Sequence, residues 1–146
     1  MTNFDLIGEL QTYAAAHSMQ FLSGASFNQN YEASQNEYEN GQLVLTAEFD
    51  AAPAFSAAGK IGSITYTGLL GLGRKFEEVT TMSTLDETFI QKYNARLLEL
   101  MQLLSVAIAD FACENELEVT NCQMAMQLNK FDTNIDFVVA TITLVQ

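Results

Sequence analysis

Few side chains in this sequence are of the types that perform catalysis. The chain has one histidine, His17, so a Ser–His or Cys–His mechanism and most zinc sites would depend on it. His17 directly follows a predicted helix, where a histidine is expected to interact with the last carbonyls of that helix. The sequence shows no convincing nucleophile–base pair. We therefore expect no enzymatic activity and no catalytic residue.

One acidic segment resembles the first half of a calcium-binding loop, because Asp132, Asn134 and Asp136 alternate along it. The sixth position of such a loop requires glycine and the twelfth requires glutamate. Here the sixth position is Phe137, and the twelfth carries no glutamate. The segment is better explained as a hairpin turn, so no metal site is predicted.

Three glycines, Gly68, Gly71 and Gly73, lie close together in an apolar segment. A phosphate-binding loop would end in Gly-Lys-Ser/Thr and would lead directly into a helix, and this segment does neither. The sequence therefore predicts no nucleotide and no other cofactor. Glycines within a strand instead indicate a bulge or a close approach of another backbone.

The 2 cysteines, Cys113 and Cys122, are too few for a disulfide framework and do not form a Cys-x-x-Cys motif. We expect both to be buried thiols in a reducing compartment. The N-terminal residues Met1–Asp5 lack the basic and apolar regions of a signal peptide, and we expect no transmembrane segment.

The charge balance is strongly acidic, with 18 acidic against 6 basic residues and a net charge of −12. Such a surface repels nucleic-acid phosphates and anionic membranes. It suits a cationic partner, or a passage through which DNA slides without sticking, although solubility is the simplest explanation. The length of 146 residues predicts a single domain, residues 1–146.

A long helix, predicted from Ser83 to Cys113, is the element around which the chain is organised. Thr84 and Glu87 form a capping box at its start. Apolar residues then recur at helical spacing: Leu85, Phe89, Tyr93, Leu97, Leu100, Leu104, Ile108 and Phe111. The second half is apolar nearly all round, so we expect a sheet to cover one face and the first helix or a neighbouring subunit to cover the other.

The first half of the chain predicts one helix and three strands. The helix covers 3–16, with Thr2 or Asn3 as its cap, and the strands cover 19–27, 42–49 and 63–73. A polar loop or a hairpin connection is expected at 28–41, ended by an Asn40-Gly41 turn signal. Residues 50–62 are rich in alanine, contain the single proline, and predict a long flexible loop. Phe55 is its one large apolar residue, so the loop is either a disordered tip or an arm that orders against a partner.

The last two elements form a predicted hairpin of strands 118–128 and 135–145. Its inward residues are Val138, Ala140, Ile142 and Leu144. The predicted fold is α+β, an antiparallel sheet of about four to five strands with a short N-terminal helix and one long helix packed on one face.

This order of elements resembles the tail-terminator and neck (head–tail joining) proteins of tailed bacteriophages. The likeness includes the short first helix, the middle hairpin with its long loop, and the long helix opened by Ser83-Thr-Leu-Asp-Glu-Thr. It also includes the closing hairpin through Asn129-Lys-Phe-Asp-Thr-Asn-Ile-Asp-Phe.

The resemblance implies a structural virion protein, assembled in the host cytoplasm, that forms a homo-oligomeric ring, commonly a hexamer. Such a ring sits at the head-proximal end of the tail and joins the tail-tube and connector proteins. A negatively charged lumen would let genome DNA pass without specific binding, and no membrane would be involved.

The expected subunit-interface residues are Phe55, Arg74, Lys75, Lys92 and Arg96. Lys92 and Arg96 share one helix face, and the cations could pair with acids of a neighbouring subunit, although ordinary surface charge also explains them. The alternative function is a small-ligand or protein binding module. Its cavity would lie between the long helix and the sheet and would be lined by Met101, Met124, Met126 and Phe111.

Overall fold

The computed structural model describes residues 4–24, 41–75, 97–130 and 135–146. Its elements are α1 (Leu6–Ala16), β1 (Gln20–Ser23), β2 (Leu43–Phe55), β3 (Ile61–Lys75), α2 (Leu98–Glu114), β4 (Glu118–Lys130) and β5 (Ile135–Val145). The α+β class is confirmed, and the described elements follow one another in the predicted order. The first part of the predicted long helix, residues 83–96, and most of the polar loop at 28–41 lie outside the described residues.

The five strands form one sheet in the order β1-β2-β3-β5-β4. The pairs β2–β3, β3–β5 and β4–β5 are antiparallel, whereas β1 and β2 are parallel. The sheet is therefore mostly antiparallel and differs from the prediction in one pair. Parallel neighbours need a long connection, and the segment 24–42 between β1 and β2 supplies it.

Both helices pack on the same face of the sheet. The core between them and the sheet includes Leu10, Tyr13, Leu45, Tyr66, Leu70, Leu72, Leu100, Leu104, Phe111, Val138, Ala140, Ile142 and Leu144. The rings of Tyr13 and Phe111 meet edge to face, with centroids 5.9 Å apart, so α1 lies beside α2. The predicted inward face of β5 is confirmed at all four residues.

The start of α1 differs from the prediction. The helix begins at Leu6, and its cap is Asp5 rather than Thr2 or Asn3. A carboxylate oxygen of Asp5 accepts a hydrogen bond from the backbone N–H of Gly8, at 3.0 Å. Asp5 caps the helix in place of Thr2 or Asn3 because its side-chain oxygen reaches a backbone amide that the first helical turn leaves without a partner.

The prediction of a long loop at 50–62 is wrong, because both strands continue through this segment. β2 extends to Phe55 and β3 begins at Ile61, and the turn closes with a hydrogen bond of 2.7 Å from the Ser56 N–H to the Lys60 carbonyl. β1 pairs with β2 only from Val44 to Ala47, so Pro53 lies beyond that pairing. Proline is tolerated on such an open edge, and the ladder between β2 and β3 overrides the weak strand propensity of alanine.

Of the three glycines of β3, Gly68 confirms the predicted close approach of a second backbone, whereas side chains lie against the other two. A Cβ placed on Gly68 would collide with the carbonyl oxygen of Glu48 on β2. Gly68 pairs with Phe49 in the same ladder. Only a residue without a side chain lets β2 and β3 come this close at Gly68.

Candidate interaction surfaces

Residues 50–62 form a two-stranded hairpin that we call the arm. β3 pairs with β5 only from Thr65 to Lys75, so the arm extends beyond the flanking strands β1 and β5. Every residue of the arm is exposed. An isolated two-stranded hairpin is at best marginally stable in water. The arm therefore offers a large surface for contact with another molecule.

The tip of the arm is apolar. Phe55 and Ile61 are partners across the two strands, and residues paired in this way place their side chains on the same face. Their exposed fractions are 67% and 41%. The predicted interface residue Phe55 is thus accessible, and it has an apolar neighbour in Ile61. The bulge between Ala54 and Phe55, where the register shifts, brings the two together and is not evident from the sequence.

The predicted interface cation Arg74 contacts its own chain. Its Nη1 lies 3.1 Å from Oε2 of Glu99, so an ion pair joins β3 to the first turn of α2. The side chain of Arg74 is 21% exposed, and its buried Nε has no hydrogen-bond partner among the described residues. Arg74 pairs with Leu43 at the end of β3 opposite the arm, ~40 Å of strand away from Phe55. The structure therefore does not bring Phe55 and Arg74 together.

Three further predicted interface residues cannot be placed. The side chain of Lys75 and the whole of Lys92 and Arg96 lie outside the described residues.

A cleft of about 300 Å³ lies where the C-terminal ends of α1 and α2 meet. His17 is held there as predicted, because its Nδ1 lies 2.8 Å from the carbonyl oxygen of Tyr13 and must donate to it. The His17 ring also stacks on the Tyr13 ring, with centroids 4.0 Å apart. Burial, followed by the charges of Asp110 and Glu114, raises the pKa of the Tyr13 hydroxyl. The cleft therefore contains a fixed imidazole and a phenol that keeps its proton.

The prediction that both cysteines are buried is wrong. Cys113 lies on the outer side of α2 and Cys122 lies on the edge strand β4, and both are exposed free thiols. Desolvation by neighbouring atoms still raises the pKa of the Cys122 thiol. Within the described ranges, no three His, Cys, Asp or Glu side chains lie close enough together to hold a metal ion. The calcium-like residues Asp132, Asn134 and the Asp136 side chain fall outside those ranges.

A second accessible surface lies along β4 and the adjoining side of α2, and we call it the β4–α2 face. Its exposed or half-buried residues are Leu98, Gln102, Ser105, Val106, Ala109, Cys113, Val119, Cys122 and Met124. The two elements touch where the Ser105 hydroxyl lies 3.9 Å from the Met124 sulfur. Val106 is 58% exposed, although it lies in the apolar half of the predicted long helix.

The predicted lining of a ligand cavity takes part in the core. Met101, Met124 and Met126 are half-buried and pack against it, and Phe111 is buried against Tyr13. Leu100, Leu104 and Ile142 are fully buried between α2 and the sheet. A second cleft, of about 390 Å³, lies at the base of the arm beside Ile7 and Phe49, away from that lining.

Neither helix that the structure describes has the length and hydropathy needed to cross a membrane. No protein-family model matches the chain, and no curated protein matches it in sequence. The arm and the β4–α2 face are the two surfaces of the described chain whose chemistry bears most directly on function.

Proposed function

We propose that this protein is a structural subunit of an oligomeric ring of the tail-terminator or neck type, at the head-proximal end of a phage tail. In this role it joins the tail tube to the connector. The observation that carries the proposal is the arm, which extends past the sheet and exposes Phe55 to 67% at its tip. A hairpin of this kind gains stability when a neighbouring subunit covers it.

The charge of the chain supports the same role. The net charge is −12 per copy, so a ring of several copies is strongly negative, and acids that face its opening would make the opening negative as well. Negative charge repels the phosphates of DNA, so the duplex passes without adhering. The ring is thus expected to contact DNA without specific binding.

The chemistry of the described side chains also favours a structural role. The single histidine donates a hydrogen bond to the carbonyl of Tyr13, which holds its ring at the helix end. That hydrogen bond leaves the Nε2 nitrogen free, but a general base must also face a nucleophile or substrate, and among the described residues no nucleophilic side chain is paired with this nitrogen. The proposal therefore assigns no catalytic step to the chain.

Native mass spectrometry and negative-stain microscopy test the proposal directly. Wild-type protein is expected to form a closed ring of one size. Phe55→Ser is expected to shift the population towards monomers, because it removes the apolar tip of the arm. Leu69→Ser is the matched control, since Leu69 is also an exposed apolar residue of the same hairpin but lies outside the arm. Wild-type protein that stays monomeric at the highest concentration reached would contradict the proposal.

A DNA-binding measurement tests the proposed repulsion between the ring and DNA. When the ring is added to a fluorescently labelled DNA duplex, the fluorescence anisotropy of the duplex is expected to stay unchanged. This is expected even at low ionic strength, where electrostatic effects are strongest. Tight binding that weakens as salt is added would contradict a repulsive lumen.

A further inference from the structure

The geometry points to a specific contact between copies: the arm of one copy lies along the open edge of β4 in the next and packs on its β4–α2 face. This inference rests on the proposed function, because it names the two surfaces through which subunits of the ring meet.

Charge restricts where two copies can touch. Each copy carries a net charge of −12, so an interface that brings acidic side chains together is penalised by like-charge repulsion. Several long segments avoid this penalty, and two of them belong to the arm and to β4. Between Ala51 and Gly73 the one charged residue is Lys60, and between Val119 and Asn129 there is none. The first segment contains the arm except Asp50, and the second is most of β4.

β4 is an edge strand whose central part lacks the usual protection, since its register shifts and its charged residues, Glu118 and Lys130, lie at its ends. It lies at the end of the sheet and, among the strands that the structure describes, pairs with β5 alone. Natural edge strands are commonly protected by lysine, proline or inward-pointing charges, and none of these occurs from Val119 to Asn129. The outward N–H and C=O groups of this strand are therefore available to pair with another strand.

The lengths of the two surfaces match. The register between β4 and β5 is regular from Asn121 to Gln127, between the shifts at either end, which gives an edge of ~20 Å. The β2 part of the arm, from Asp50 to Phe55, is extended over a comparable length, also ~20 Å. One arm is thus long enough to follow the regular part of one β4 edge, where Pro53 donates no backbone N–H and the residues on either side of it make the main-chain contacts.

α2 presents an uncharged surface beside the β4 edge. Gln102, Val106, Ala109 and Cys113 follow one another at helical spacing and are exposed. Among the acids of α2, Glu99 pairs with Arg74, and the charges of Asp110 and Glu114 act on Tyr13 of α1. Asp110 is nevertheless exposed one helical turn after Val106. An arm seated on β4 therefore reaches first the uncharged side of α2 near Ser105, which contacts Met124 of β4.

The contact is heterologous, because the arm and the β4–α2 face are different surfaces of one chain. Each copy would use its arm towards one neighbour and its β4 edge towards the other. Head-to-tail contacts of this kind generate rings when the rotation closes. The same contact made reciprocally by two copies would give a twofold dimer, so the number of copies that become linked distinguishes the two arrangements.

Disulfide trapping tests the contact, and the chain supplies one of the two thiols. In a Cys113→Ser background, Ala51, Ala52 and Ala54 are replaced in turn by Cys, so that an arm thiol can meet the native Cys122 of a neighbour. Mild oxidation of the assembled protein is expected to give a ladder of cross-linked multimers for at least one position. The ladder is expected to vanish when Cys122→Ser is added and when reductant is present. An absence of cross-linking at all three positions, in intact rings whose Cys122 still forms a mixed disulfide with oxidised glutathione, would overturn the contact. Cross-linking that stops at dimers would overturn the head-to-tail arrangement.

A charge substitution provides an independent test that needs no oxidation. Gln123→Glu places a negative charge on the exposed part of β4, whereas Gln11→Glu makes the same change on the exposed side of α1. Gln123→Glu is expected to raise the concentration needed for assembly at least about tenfold, because like charges at an interface cost several kcal/mol. Gln11→Glu is expected to leave it unchanged. Equal effects of the two variants would overturn the contact.

The two proposals can fail separately. Rings that form normally but give no arm-to-Cys122 cross-link and tolerate Gln123→Glu would overturn the contact and leave the proposed function standing. Protein that never assembles would overturn both.

Discussion

The aromatic ring of Phe137 on β5 lies directly against Gly73, its partner in the ladder with β3. A Cβ added to Gly73 would stand 2.6–2.7 Å from three atoms of that ring. Phe137 is fully buried and belongs to a small cluster with Leu22, Val44 and Val139, separate from the main core. The absence of a side chain at Gly73 is therefore what makes room for the ring.

Gly73→Ala is expected to destabilise the protein by about 1–3 kcal/mol, because the buried ring must shift to admit the methyl group. Urea unfolding followed by circular dichroism measures the change. Gly62→Ala is the control, since the nearest atom to its added Cβ is the carbonyl oxygen of Ala54 at 3.7 Å. That variant should stay within about 0.5 kcal/mol of wild type. Equal losses in the two variants would contradict the packing argument.

Asp5→Ala is expected to lower stability by about 1 kcal/mol, because it removes the cap that accepts a hydrogen bond from Gly8 at the start of α1. Asp5→Asn keeps an oxygen in the same place and should lose much less. Thermal unfolding of the three proteins ranks them. A loss in Asp5→Asn as large as that in Asp5→Ala would show that the charge matters more than the hydrogen bond.

The raised pKa of Tyr13 predicts a loss of stability in alkali. Burial, followed by Asp110 and Glu114, favours the neutral phenol in the folded protein. The neutral Tyr13 hydroxyl contributes fully to the free energy of unfolding below the pKa of tyrosine in the unfolded chain, about 10. This contribution is lost as the pH rises from that value towards the raised pKa of Tyr13 in the folded protein. Tyr13→Phe should therefore lose less stability than wild type between about pH 9 and about pH 11. A stability difference that does not change with pH would contradict this.

Cys122 is expected to react slowly with alkylating reagents despite its exposure, because desolvation raises the pKa of its thiol and the thiolate is the reactive form. In a Cys113→Ser background at about pH 8, below the usual thiol pKa, iodoacetamide should label the folded protein more slowly than the urea-unfolded protein. Mass spectrometry follows both reactions. Equal rates would show that the native environment does not affect this thiol.

The ion pair between Arg74 and Glu99 is expected to contribute less than about 1 kcal/mol, because the side chain of Glu99 is 56% exposed and solvent screens the interaction. A double-mutant cycle with Arg74→Met and Glu99→Gln measures the coupling free energy. The coupling should fall further at high salt. A larger value that resists salt would indicate that the pair is effectively desolvated.

The parts of the fold that could be predicted from sequence are those in which one periodic pattern dominates. Val138, Ala140, Ile142 and Leu144 alternate with less buried residues, and their burial on one face follows from the strand period. The buried residues of α2 likewise follow helical spacing. Such patterns are reliable because a shift of register by one residue would expose the whole apolar set.

The missed features depend on contacts between distant segments. The arm has the composition of a loop, and only its ladder with β3 makes it a strand. The few residues of β1 show no sequence pattern that indicates its parallel direction. Cysteine is usually a buried residue, but Cys122 lies on an edge strand. At the candidate interface, the exposure of Phe55 was foreseeable from its polar and alanine-rich surroundings. Its pairing with Ile61 was not, because it requires the register shift beside Ala54.

The place of β3 in the middle of the sheet has a consequence for how the chain reaches its native state. β3 finds its partner β2 nearby in sequence, but its other partner, β5, is synthesised last. During translation the edge that will meet β5 stays open, and between Ile61 and Gly73 it carries no charge to discourage association. Refolding is therefore expected to be slower than that of a helical bundle of this size, and nascent chains are expected to need protection until β5 arrives.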